Sequence, residues 1–151
     1  MNRHAKQVIS KNWAALGCLA RVAITCARQD IALRGHSEHG EPTENVNRGN
    51  FLALVELVKF ESSSTKANLD RLPKNASYCG KNAQNELLHV AADVVTVKIV
   101  SEVKMAGMYT VITDEARDSS KTEQLSICVR YVLEHEIKDR FLTFVALKQD
   151  L

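Results

Sequence analysis

A chain of 151 residues with 45% hydrophobic and 25% charged side chains has the size and composition of one ordinary globular domain, which excludes disordered, collagenous and disulfide-scaffold classes. Twenty Lys and Arg against eighteen Asp and Glu leave a net charge of +2, so the total announces neither a nucleic-acid binder nor an anionic-membrane binder. The total hides a division: residues 1–40 hold six basic and two acidic groups, +4, and residues 41–151 hold fourteen and sixteen, −2.

In chain order, residues 12–29 predict an amphipathic helix with Trp13, Leu16, Leu19, Ala20, Ala23 and Ala27 on its apolar stripe, the i, i+3, i+4, i+7 pattern of a core-facing helix. Gly35 is the expected breaker, and the polar run 36–49 reads as a loop. Asn50 is the expected N-cap of a helix through Phe60. Ser62–Ser64 interrupt it, and a short helix over 64–72 ends at Pro73. The longest periodic stretch is 81–105, with Leu88, Ala91, Val95, Ile99 and Glu102 on one face and Leu87, Val90 and Val94 beside them. Its β-branched segment VVTVKIV also suits a strand, but the unbroken 3.6-residue period and the length predict a helix, stopped at Gly107.

After Gly107 the period changes to two. MYTVITD predicts a strand ending at Asp114, and EARDSSKTE a turn. QLSICVRYV alternates Leu125, Ile127, Val129 and Tyr131 with Gln124, Ser126, Cys128 and Arg130, the signature of a half-buried strand. LEHEIKD then leads to a third strand, RFLTFVAL. Short connections make sequential strands antiparallel neighbours. The expected class is α+β: a helical segment over 1–106 packed on a three-stranded antiparallel meander over 107–151, together one partial domain. The third strand's outer edge is expected to be open, with apolar surface around Phe141, Phe144 and Val145, so self-association or a protein partner through that edge is expected.

The four cysteines, Cys18, Cys26, Cys79 and Cys128, form no Cys-x-x-Cys pair and read as reduced thiols of an intracellular protein, nuclear or cytoplasmic. The N-terminus has no apolar signal core, and the richest early apolar run is broken at Arg21, so no membrane partner is expected. His36-x-x-His39 with Cys18 and Cys26 fits no zinc pattern; these read as core thiols and loop histidines. No phosphate-binding glycine loop or nucleophile motif occurs. Arg34, Arg48 and Arg130 read as solvated or ion-paired. With Trp13 and most other aromatics in core-like positions and no basic stripe in the sequence, DNA affinity is expected to be weak. Asp114 is the most suggestive residue: an apolar strand ends in a carboxylate, with Glu115 and Asp118 close by. Carboxylates suit Mg²⁺ or Mn²⁺, while turns also favour acidic residues.

Five segments in order, IALRGHSEH (31–39), NRGNFLALVEL (47–57), NASYCGKNAQNELL (75–88), VITDEARDSSKTEQLSICVRYV (111–132) and DRFLTFVAL (139–147), resemble the domain of unknown function shared by zinc-finger MYM-type and THAP-type-repressor proteins, which derives from hAT-type DNA transposases. The resemblance implies the opening of an RNase H-like core, helices followed by three antiparallel strands. It also implies that Asp114 is a vestigial catalytic carboxylate and former metal ligand, with Mg²⁺ or Mn²⁺ as cofactor only in a complete transposase relative. Asp118 matches the motif without a catalytic role. The family's second catalytic Asp, after a fourth strand, and its distant Glu do not occur in these 151 residues. The expectation is therefore a catalytically incomplete fragment with no cofactor and no independent enzymatic activity. The alternatives are a domesticated nuclear interaction module and an N-terminal fragment of a working transposase.

Overall fold

The computed structural model describes residues 3–35, 47–73, 76–117 and 123–147. Four helices, α1 (Arg3–Arg28), α2 (Asn50–Glu61), α3 (Ser63–Asp70) and α4 (Lys81–Ala106), precede three strands, β1 (Tyr109–Arg117), β2 (Glu123–Leu133) and β3 (Glu136–Ala146). The fold is α+β, as the change of period at Gly107 predicts. The chain packs as two compact units, Met1–Ala91 and Ala92–Leu151, divided within α4.

The first unit is helical. Its core joins Ala15, Cys18, Leu19, Val22 and Ala23 of α1 to Phe51 and Val55 of α2, to Leu69 of α3, and to Leu72. Burying each of the larger side chains contributes roughly 1.5–3 kcal/mol. The buried face of α1 departs from the expected stripe. Ala15, Cys18, Leu19, Val22, Ala23 and Cys26 are the buried positions, a full i, i+3, i+4, i+7 set centred on small residues. Trp13, expected on that stripe, is 70% exposed, and Ala27 is exposed as well. The helix also begins nine residues earlier than the stripe suggests. Its first turns are held by good helix formers such as Arg, Ala, Lys and Gln rather than by apolar contacts.

Gly35 does not end α1. The helix closes on a Schellman turn. Ile31 N donates to Cys26 O at 2.9 Å and Asp30 N to Ala27 O at 3.4 Å, with Asp30 at φ 53 in the left-handed region. Asp takes the place that Gly usually holds there. The glycine serves instead where two backbone segments cross. A Cβ on Gly35 would lie 2.5 Å from Gly49 N and 2.8 Å from Arg48 C; one on Gly49 would lie 2.6 Å from Arg34 C. Leu33 O accepts from Phe51 N at 3.0 Å and Ala32 O from Asn50 Nδ2 at 2.7 Å. This crossing therefore fastens the segment after α1 to the start of α2. Gly49, with φ 97, is the N-cap of α2, and Asn50 is its first helical residue, one position inside the expected cap.

Ser62 ends α2 and caps α3, its Oγ accepting from Thr65 N at 3.3 Å. Lys59 ties the two helices, with Nζ 2.8 Å from Asp70 and 3.2 Å from Glu56. At the start of α4, Gln84 is fully buried and its Nε2 donates to Cys79 O at 2.9 Å. Leu87 and Leu88 pack against the same core.

The second unit takes up the end of α4. Gly107, at φ 74, follows the helix and its N–H reaches Val103 O at 3.2 Å, the stop expected there. The sheet order is β1-β2-β3, antiparallel throughout. Ile99 of α4 packs with Val129 and Tyr131 of β2, and Val103, Ala106, Leu133 and Leu142 close around them. The alternation read in 124–131 shows in burial at the end of β2, where Val129 and Tyr131 are buried and Arg130 and Val132 exposed, while 124–128 are all half-buried. Further up α4, Val94, Val95 and Val97 are exposed, although the sequence pattern puts Val94 and Val95 on or beside the apolar face.

Two strand boundaries differ from expectation. β1 continues past Asp114 to Arg117. The β2–β3 connection is a two-residue turn, Glu134-His135, with φ 52 and 66, not the long link LEHEIKD. A turn with both central residues at positive φ normally announces itself by Asn-Gly or Asp-Gly. Glu-His carries no such signal. A register shift at Ile127/Cys128 leaves Leu142 as an extra residue on β3.

Candidate functional site

Asp114 lies inside β1, paired with Ser126 of β2. Side chains alternate across a strand, and directly paired residues share a face. Val129 and Tyr131 meet α4, so the even positions of β2, and with them Asp114, lie on the opposite face. Ile112, Cys128, Phe141 and Phe144 share that face by register. The Asp114 side chain is exposed. Its backbone carbonyl accepts from Ser126 Oγ at 3.1 Å, which pins the strand pair at this point but leaves the carboxylate unengaged among the described residues. Glu115 follows it on the face turned toward α4, and Asp118 lies outside the described residues.

The described residues beside Asp114 do not by themselves complete a divalent cation site. Mg²⁺ takes about six oxygen ligands, and a two-metal centre needs several converging carboxylates. Among the described residues no three His, Cys, Asp or Glu side chains come together. The histidines named with a zinc reading, His36 and His39, lie outside the described residues. Cys18 and Cys26 are core thiols of α1, and burial pushes the Cys26 thiol above its ordinary value. Burial does the same to Cys79. Neither thiol has the lowered value that marks an activated nucleophile.

Of the three arginines singled out, Arg130 forms a two-pronged pair with Asp139 of β3, Nε to Oδ1 at 2.6 Å and Nη2 to Oδ2 at 2.8 Å. This contact holds the Asp139 carboxyl below the usual carboxylate range. Arg34 donates to Asn85 Oδ1. Arg48 buries its Nε without a partner among the described residues.

Sequence reasoning misses one polar cluster. The Tyr131 hydroxyl donates to Glu102 Oε2 at 2.6 Å, Lys138 Nζ lies 3.5 Å from the same oxygen, and Lys98 Nζ lies 3.9 Å from Oε1. The Tyr131 hydrogen bond, helped by the two lysines, holds Glu102 below its ordinary value. Burial and the Glu102 carboxylate together push the Tyr131 hydroxyl up. The available signal is Glu102 on the face of α4 that also carries Ile99: an acid on a core-facing stripe demands a buried donor.

Residues 1–150 match the family model described as DUF4371, ZMYM1/FAM200 RNase-like domain. The chain belongs to this family. Among curated proteins it is similar to the 52 kDa repressor of the inhibitor of the protein kinase from Homo sapiens, 25% identical over 142 residues, and to that from Mus musculus, 24% identical over 142 residues. Each match covers 93% of this chain and 19% of the relative, so the chain spans about a fifth of those proteins. No solved structure matches it. The two units are thus parts of one RNase-like family domain in sequence. No helix among the described residues is long and apolar enough to cross a membrane.

Proposed function

We propose that this chain is a hAT-transposase-derived domain with no catalytic activity of its own. The observation that carries this reading is Asp114 itself. Its place in the motif resembles that of a catalytic carboxylate, yet it stands alone on an exposed sheet face among the described residues. Phosphoryl transfer on DNA needs metal ions at both the attacking and the leaving oxygen, and one carboxylate does not hold them. Membership of a family whose curated relatives here are named as repressors supports a non-enzymatic role. Purified protein incubated with labelled plasmid DNA in Mg²⁺ or Mn²⁺ is expected to leave the DNA intact. Metal-dependent cleavage that disappears in Asp114→Asn overturns the proposal.

A second reading, an interaction module, draws on the same face. Phe141 and Phe144 stack at 4.8 Å between ring centroids and are 48% and 56% exposed. An apolar face of this kind favours association. Sedimentation velocity is expected to show concentration-dependent self-association that Phe141→Ser with Phe144→Ser abolishes. A concentration-independent monomer counts against this second reading and leaves the first standing.

A further inference from the structure

Charge is not spread evenly over the helices. α1 contains five basic residues, Arg3, Lys6, Lys11, Arg21 and Arg28, and no acidic one. All five are exposed, and among the described residues none forms an ion pair. At about 100° per residue, Arg3, Lys6, Arg21 and Arg28 fall within an arc of roughly 60° centred opposite the buried stripe. Trp13 lies at the margin of the same arc, between the Arg3–Lys6 and Arg21–Arg28 pairs. Its 70% exposure leaves most of a large apolar ring in solvent. At about 1.5 Å per residue the row extends over roughly 37 Å.

The geometry points to the outer face of α1 as a binding surface for single-stranded nucleic acid, with the basic residues on the phosphates and Trp13 stacked on a base. This inference is independent of the fate of Asp114. Charge complementarity selects a polyanion, and the exposed aromatic in the basic row selects one with unpaired bases. A basic amphipathic helix also suits an anionic membrane, but such a helix binds by burying its apolar face in the interface. Here that face is already occupied: Ala15, Cys18, Leu19, Val22 and Ala23 lie in the core with α2 and α3. The outer face offers only Ile9 beside Trp13 and, further along, Ile24 as large apolar groups, too little apolar area for insertion. The near-zero total charge of the chain, which predicts weak DNA affinity, does not describe this surface, because screening limits electrostatic reach to about 10 Å. Acidic groups farther off contribute little.

The experiment uses the full chain and a labelled oligothymidylate of about 16 nucleotides. Trp13 is the chain's sole tryptophan, so quenching of intrinsic fluorescence reports on α1 directly, and anisotropy of the label gives the affinity. Four phosphate contacts, at about 0.7 ion released for each in a single strand, predict a roughly 50-fold weakening between 50 and 200 mM salt. Arg21→Glu with Arg28→Glu is expected to lower affinity at least tenfold. Trp13→Ala is expected to lower it about 5- to 100-fold. The charge-matched control Lys81→Glu with Lys104→Glu, both exposed on α4, is expected to have little effect. All these side chains are exposed, so helix content by circular dichroism should be unchanged. The proposal is overturned if the α1 reversal weakens binding no more than the control. It is overturned equally if duplex DNA binds as tightly without quenching Trp13, or if phosphatidylserine vesicles shift its emission while the oligonucleotide does not.

Discussion

Alanine at Gly35 or Gly49 is expected to unfold the helical unit or bring it close to unfolding. The two glycines cross with backbone against backbone. The added methyl of Gly35→Ala meets Gly49 N at 2.5 Å and Arg48 C at 2.8 Å; that of Gly49→Ala meets Arg34 C at 2.6 Å and Leu33 O at 2.7 Å. These neighbours are main-chain atoms, which cannot swing aside as a side chain does. Relief requires separating the strands of chain, and that breaks the bonds from Phe51 N to Leu33 O and from Asn50 Nδ2 to Ala32 O. Phe51, fully buried, is the next residue and would move with them. Each lost bond costs about 1 kcal/mol, and displacing part of a core aromatic adds more. Gly49→Ala carries a further cost because φ 97 disfavours any side chain. A combined loss of about 3 kcal/mol or more lowers the melting temperature by more than about 12 °C for a unit of this size. Thermal unfolding followed by circular dichroism, with Gly80→Ala as control because a Cβ there meets nothing within 4 Å, is the check. Melting of either variant within a few degrees of the parent would mean the crossing is not formed as described.

The same pair shows what kind of feature a single sequence makes legible. Arg34-Gly35 and Gly49-Asn50-Phe51 stand out as motif fragments, and Gly35 invites the reading of a helix breaker. Its real constraint is a meeting with a residue fourteen positions away, which no local pattern encodes. Local patterns serve well where one physical period dominates. α4 is read almost to its ends, and the inward Val129 and Tyr131 follow from alternation. They fail where the buried residues are small. On α1 the bulk of Trp13 and Leu16 outweighs Ala15 and Cys18, so the apolar stripe is centred on the wrong sector, although Leu19 and Ala23 on it are buried, and the exposed Trp13 is hidden inside it. The basic row on the opposite face stays invisible for the same reason. At the candidate site, the position of Asp114 on β1 is legible from the strand pattern and the family motif. That the strand runs on for three residues, leaving Asp114 mid-strand instead of at an exit, is not, because Glu115, Ala116 and Arg117 carry no strand signal.

The second unit is small, and Tyr131 is its largest buried side chain, 2% exposed. Tyr131→Ala is expected to cost about 3–5 kcal/mol, the range for removing a large buried side chain, and to unfold the sheet while leaving the helical unit's own melting transition in place. Tyr131→Phe keeps the ring and removes only the donor to Glu102, so its effect is expected to be smaller and pH-dependent. Glu102 is held below its ordinary value by Tyr131 first, then by Lys138 and Lys98. A depressed carboxylate contributes stability that is present above its unfolded value, near 4.5, and is lost as pH falls through the lower folded value. Tyr131 has the opposite sign of shift, raised by burial and by the Glu102 carboxylate. Its contribution is fully present below the unfolded value, near 10, and is lost as pH rises through the folded one. The parent protein should therefore lose sheet stability on both flanks, below about pH 4.5 and above about pH 10. Tyr131→Phe should abolish the alkaline loss and reduce the acid one, since Lys138 still faces Glu102 at 3.5 Å. Urea unfolding across the pH range, with the double variant Tyr131→Phe and Glu102→Gln closing a thermodynamic cycle, reads the coupling between the two groups. Additive effects of the two substitutions at neutral pH would show that the hydroxyl and the carboxylate do not hold each other, and that α4 is retained on the sheet by Ile99, Val103 and Ala106 alone.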